Sequence, residues 1–241
     1  MGRGNVDPDL TGVVILQVEY IRFLASLVVA AVIVASCTSS EPATSTISPG
    51  RVLSVATGGA PTIDGVMEAG EWDGATSTVM TDGSPLHWMH SEEALYVALE
   101  GGGIGAVNLA IATGDEIWIL HSSAALGSAL YTRDESTWRL THGFSWCCRS
   151  TADDTGRQAL LDEEGWQANI GFAGDIGLVE YAVVLPWVDG LVAVSYQTES
   201  SDPAYWPTDL SGDAEADLIG PWAEPKDFNV DEWYRLDENT G

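Results

Sequence analysis

Basic residues are scarce in this chain. Its 241 residues include nine lysines and arginines against 36 aspartates and glutamates, for a formal net charge of −27, and Lys226 is the only lysine. So acidic a surface repels nucleic acid and anionic lipid, which need positive charge to bind, and nucleic acid is excluded as a partner. The excess of carboxylates keeps the surface solvated, and divalent cations are the sharper use of it. Cysteine is equally scarce: there are three, Cys37, Cys147 and Cys148. No C-x-x-C or Cys/His spacing is present, which excludes a zinc finger or ribbon. Cys147 and Cys148 are neighbours, so they form a disulfide with each other or remain thiols, and their expected use is structural. There is no P-loop, no G-x-S-x-G elbow and no H-E-x-x-H, so the chain is not read as an enzyme. Its many carboxylates do not make a glycosidase pair without geometry. The glycines of Gly101–Gly105 fall between two expected strands rather than at the start of a helix, so they are a loop and no dinucleotide fingerprint.

The apolar run of Phe23–Val34, flanked by Arg22, is shorter than the about 20 residues that span a bilayer. It ends in Val34-Ala35-Ser36-Cys37, which resembles a bacterial lipobox: an aliphatic residue, two small ones and a cysteine. The resemblance implies a lipoprotein-type signal peptide over residues 1–36, cleavage before Cys37 and lipidation of that cysteine. The protein is then extracytoplasmic and anchored to a bacterial cell membrane through the N-terminal lipid. Residues 37–51 are rich in Ser, Thr and Pro and read as a disordered tether. Residues 52–241 suffice for one domain.

That domain reads as all-β. Short runs of β-branched and aromatic residues alternate with Gly, Asp, Ser and Pro. Leu86–His90 and Ala94–Leu99 read as one hairpin, and Ala106–Ala112 and Glu116–His121 as a second. Further strands are expected at 126–132, 137–146, 166–172, 178–185 and 191–197, with a short helix or loop over 151–164 and a loop-rich tail from Ser200. About nine strands at intervals of about ten residues fit an antiparallel β-sandwich.

Three segments carry a family resemblance. Pro61-Thr62-Ile63-Asp64-Gly65 followed by Glu71-Trp72-Asp73-Gly74-Ala75 resembles the opening of family 9 carbohydrate-binding modules. Leu86-His87-Trp88-Met89-His90 with Ala94-Leu95-Tyr96-Val97-Ala98-Leu99 resembles the hairpin shared with DOMON domains, and Glu180–Trp187 resembles a late strand of the same group. The resemblance implies an immunoglobulin-like sandwich over 52–241 whose members bind sugars or haem, or have no known ligand. Read from the residues alone, Trp72 and Trp187 are packing groups.

Ten tryptophans in one chain make an aromatic platform for sugar faces the leading reading. The candidates are Trp88, Trp118, Trp138, Trp146, Trp166 and Trp206, of which Trp88, Trp146 and Trp206, with Tyr205, are the ligand-binding choices. Tyr205 and Trp206 are favoured because Pro203–Pro207 reads as an exposed loop. The function that follows is non-catalytic binding of a carbohydrate or another small ligand. Two alternatives stay open: a structural or protein-binding envelope module, and electron transfer by a b-type haem. For haem, Met80 or Met89 with His121 or His142 supplies the axial pair, and the lack of C-x-x-C-H rules out covalent attachment. His142 also falls on the apolar alternating face of its strand, a core position. Asp213, Glu215, Asp217 and Glu224 have calcium-loop offsets, but Leu218 stands where such a loop needs Gly, so only a looser calcium site remains. One prediction follows from the N-terminus: Cys37→Ala abolishes palmitate incorporation in metabolic labelling, and labelling that is unchanged in the variant contradicts the lipobox reading.

Overall fold

The computed structural model describes residues 50–92, 94–149, 151–198, 202–220, 222 and 226–238. The expected signal peptide, Cys37 and all but the last two residues of the expected tether lie outside these. Arg51, the last tether residue, is already held: its guanidinium donates to Asp209 at 2.7 Å and to the Glu232 carbonyl at 2.9 Å. Among the described residues no helix is long and apolar enough to cross a membrane.

The domain is mostly β. In chain order the strands are β1 (Val52–Thr57), β2 (Thr76–Val79), β3 (Pro85–Ser91), β4 (Ala94–Gly102), β5 (Ile104–Thr113), β6 (Glu116–Ser122), β7 (Ala125–Asp134) and β8 (Thr137–Arg149). Helix α1 (Asp154–Glu164) follows, then β9 (Trp166–Ala173), β10 (Ile176–Val183), β11 (Leu191–Thr198) and β12 (Ala204–Trp206). A short helix α2 (Gly212–Asp217), a 3-10 turn (Val230–Glu232) and β13 (Tyr234–Glu238) complete the order. The strands join in one curled path, β8-β7-β6-β5-β11-β13-β1-β3-β4-β10-β9, with β12 on β11 and β2 on β3.

The arrangement differs from expectation in two ways. The sheet is mixed rather than antiparallel, because β1 runs parallel to both β13 and β3. The sequence hides this, since side-chain alternation has the same period in parallel and antiparallel pairs. The tail is also more regular than expected: it contributes β12, α2 and β13. Segment 151–164 holds a helix capped by Asp153, whose carboxylate accepts from Gly156 N–H at 2.8 Å, and closed by a left-handed Gly165. Helix α1 packs against both β8 and β9, the two ends of the path, and so covers edges that would otherwise be open.

Strand β1 joins two halves of the sheet. The main core contains side chains of both: Leu109, Leu120 and Val194 on one, Trp88, Leu99 and Tyr181 on the other. The Tyr181 hydroxyl reaches across to the carbonyl of Val107 at 3.1 Å. The outer face of the β5-β6-β7-β11 half is covered by the tail, where Leu210, Ala214, Leu218, Phe228 and Trp233 pack on Ala110, Ile119, Ala129 and Ala193. The outer face of the other half holds Trp72, Met89, Ala98 and Leu178.

The first and third resembling segments meet at Glu180, which is fully buried. Its carboxylate accepts from Gly65 N–H at 2.8 Å, Asp64 N–H at 3.2 Å and the Trp72 indole at 3.1 Å. Gly65 is left-handed at φ 81°, and a Cβ there would come within 2.6 Å of Gly171 N, so both torsion and space require glycine. Burial pushes the Glu180 carboxyl from 4.5 up to about 7; the Gly65 and Trp72 donors act against the shift, and Glu71 adds to it. A carboxyl raised on folding stabilises the fold below its unfolded value, and that stability is lost as pH rises from about 4.5 to 7. Glu180→Gln removes the titration. In urea denaturation the loss of stability between acid and neutral pH should shrink by on the order of 3 kcal/mol in this variant. Identical pH dependence in the two proteins contradicts this.

Candidate functional site

The alternation of three strands builds the site. Along β5, Val107, Leu109 and Ile111 join the main core, so Ala106 and Asn108 face outward with Ala110 and Ala112. Along β11, Val192, Val194 and Tyr196 point in, which leaves Ser195 and Gln197 outward with Ala193. Along β6, Ile117 and Ile119 lie under the tail, and His121 continues their face. The registers then align five strands: Ser195 is opposite Asn108, Asn108 opposite His121, His121 opposite Gly127, and Gly127 opposite Trp146. This row crosses the sheet where the tail cover ends.

Its hydrogen bonds fix its chemistry. The Leu218 carbonyl can only accept, and it takes the Asn108 amide at 3.2 Å and the Ser195 hydroxyl at 2.8 Å. The Asn108 amide nitrogen also donates to Ser195 Oγ at 3.2 Å. Asn108 Oδ1 therefore faces His121 Nδ1, at 2.7 Å, and the proton of that bond must sit on His121 Nδ1. Burial lowers the His121 pKa from 6.5 to about 4. The ring is neutral near pH 7, and Nε2, with no hydrogen-bond partner among the described residues, is an acceptor.

Gly127 makes room for the aromatic end of the row. A Cβ there would come within 2.5 Å of the Phe144 ring. With glycine in place, Phe144 and Trp146 lie 4.7 Å apart between ring centres, and both meet His121 edge-on, at 5.6 and 5.2 Å. Trp222 of the tail stacks on Phe144 at 6.1 Å with the rings 5° from parallel. A cleft of about 120 Å³ opens between this tail segment and β5, β6 and β11; Asn108, His121, Ser195, Gln197, Ile219 and Trp222 are among its walls. The tail is held down by paired backbone hydrogen bonds between Trp138 and Lys226, 2.9 and 3.0 Å long.

Of the expected ligand-binding residues, the structure places only Trp146 at this site, 57 % exposed. The others are corrected. Trp88 is 0 % exposed and packs on Trp206 at 4.9 Å in the main core. Tyr205 and Trp206 are 8 % and 4 % exposed because Ala204–Trp206 pairs with β11 as a strand, so the segment is not an exposed loop. Trp138 and Trp166 are buried, and Trp118 packs against the main core. His121 lies in the site but away from the methionines: Met80 is in the main core, and Met89 is in the cluster on the outer face of the other half. His142 is exposed on β8 opposite Leu130, not in a core. Neither methionine shares a cluster with either histidine, so the expected axial pairs do not assemble among the described residues. Cys147 and Cys148 are joined as a disulfide directly after Trp146. Asp213 and Glu215 stand two apart on helix α2, where residues so spaced do not face each other, and Glu224 lies outside the described residues. Among the described residues no three His, Cys, Asp or Glu side chains group to hold a metal.

Sequence reasoning missed Asn108, Ser195, Gln197 and Trp222. The signal for the first two was a polar residue within an otherwise apolar strand. No protein-family model, curated protein or solved structure matches the chain. The tautomer is open to measurement: nitrogen-15 NMR of the His121 ring should show a neutral, Nδ1-protonated imidazole at pH 5.5 to 7, titrating near 4. A ring charged at pH 5.5 contradicts the site as described.

Proposed function

We propose that this chain is a lipid-tethered, extracytoplasmic and non-catalytic module that binds carbohydrate at the cleft beside Trp146. In this reading the two halves of the curled sheet are the layers of an immunoglobulin-like sandwich, as the resemblance to family 9 carbohydrate-binding modules and DOMON domains implies. The observation that carries the reading is the row itself: an exposed indole at one end and a line of uncharged polar groups running from it. A pyranose offers an apolar C–H face and a rim of hydroxyls. The indole of Trp146 suits the face, while His121 Nε2 and the Gln197 amide suit the hydroxyls. Among the residues lining the cleft there is no Asp, Glu, Lys or Arg, which favours a neutral ligand. The net charge of −27 disfavours uronic or sialic acids.

Flat sites of this kind bind weakly, with a Kd of about 10 μM to 1 mM. Stacking on one indole contributes on the order of 1 kcal/mol, so Trp146→Ala should weaken glycan binding about five-fold in calorimetric titration while leaving the fold intact. A broad array of neutral glycans with no binder contradicts the carbohydrate reading. Affinity that is unchanged in Trp146→Ala contradicts the placement of the site.

A further inference from the structure

We infer that the cleft takes the acetamido group of an N-acetylated sugar, with the sugar ring outside it on Trp146. The inference rests on the carbohydrate reading and narrows it to one substituent. Size comes first. A cavity of roughly 150 Å³ holds a benzene molecule, so a cleft of about 120 Å³ matches a group of four or five heavy atoms and is smaller than a whole pyranose. An exocyclic substituent fits it while the ring stays outside, against the exposed Trp146, which meets His121 at 5.2 Å.

The walls then choose among substituents. A hydroxyl or hydroxymethyl group would satisfy one or two polar walls and leave the apolar ones facing a polar atom. The lining is mixed: Ala106, Pro203 and Ile219 are apolar, while His121 on β6 and Gln197 on β11 are polar and stand on opposite sides of β5. An acetamido group suits such a lining, because the N–H and C=O of its trans amide point to opposite sides. Its N–H donates to His121 Nε2, which the Asn108 bond at Nδ1 fixes as an acceptor. Its carbonyl accepts from the Gln197 amide, which has no hydrogen-bond partner among the described residues. Its methyl meets Ala106, Pro203 and Ile219. A carboxylate in the same place would face the imidazole lone pair, and an ammonium group would find no carboxylate among the lining residues, so both charged substituents fit worse.

The test compares three matched trisaccharides against the intact domain by calorimetry: the β-1,4-linked trimers of N-acetylglucosamine, glucosamine and glucose. The titrations are run at about 0.3 M salt, so that attraction of the amine to the acidic surface is screened. The acetylated trimer should bind at least ten-fold more tightly than either of the others. In saturation-transfer NMR its acetyl methyl protons should receive the strongest transfer from the protein. Equal binding of the acetylated and glucose trimers, or an acetyl methyl with weak transfer in a bound trimer, overturns the acetamido assignment and leaves the carbohydrate reading standing. Binding of none of the three, together with an empty neutral-glycan array, overturns both.

Discussion

One short strand carries the connection between the halves of this protein. Residues 52 to 55 of β1 pair with β13 and residues 56 and 57 pair with β3. Buried backbone groups need partners, so a sheet that folds back over its own core must pass through some strand bonded on both sides. Here that strand is parallel to both neighbours. This forces the chain to return at its C-terminus, because β13 must lie beside β1. The tail between β12 and β13 is then drawn over the outer face of β5, β6, β7 and β11, and the cleft is the place where that cover stops.

The site is thus a consequence of topology and parity together. Outward positions on β5, β6 and β11 are apolar under the tail and polar beyond it: Ala110 gives way to Asn108, Ile119 to His121 and Ala193 to Ser195. The Leu218 carbonyl, at the end of α2, locks the first of these polar groups and through it the tautomer of His121. On the opposite outer face the Glu180 carboxylate holds the Asp64-Gly65 turn and Trp72. The resembling segments meet there, not at the cleft. They explain the scaffold and say little about the ligand.

The β class was legible because short runs of β-branched and aromatic residues are punctuated by Gly, Asp, Ser and Pro. The hairpin of β3 and β4 was legible for the same reason. Parallel pairing by β1 was not, because partner choice leaves no mark in a strand of six residues. Trp206 misled because its flanking prolines look like loop punctuation, yet its strand pairs with β11 and its ring fills the core beside Trp88. Trp146 was chosen on composition alone. Asn108 and Ser195 were visible as polar breaks in apolar strands, but their alliance with His121 depends on register across strands distant in sequence. That information is absent from any local window.

The central claim is that ligand meets His121, Gln197 and Trp146, beside the locked Asn108–Ser195 pair. The most direct measurement is the set of backbone amide and indole NMR shifts of the full domain, recorded as the N-acetylglucosamine trimer is added. The account predicts saturable changes concentrated at Asn108, His121, Gly127, Trp146, Ser195 and Gln197. Changes centred instead on Met67, Trp72 and Tyr96 of the opposite face, with this row silent, would contradict it.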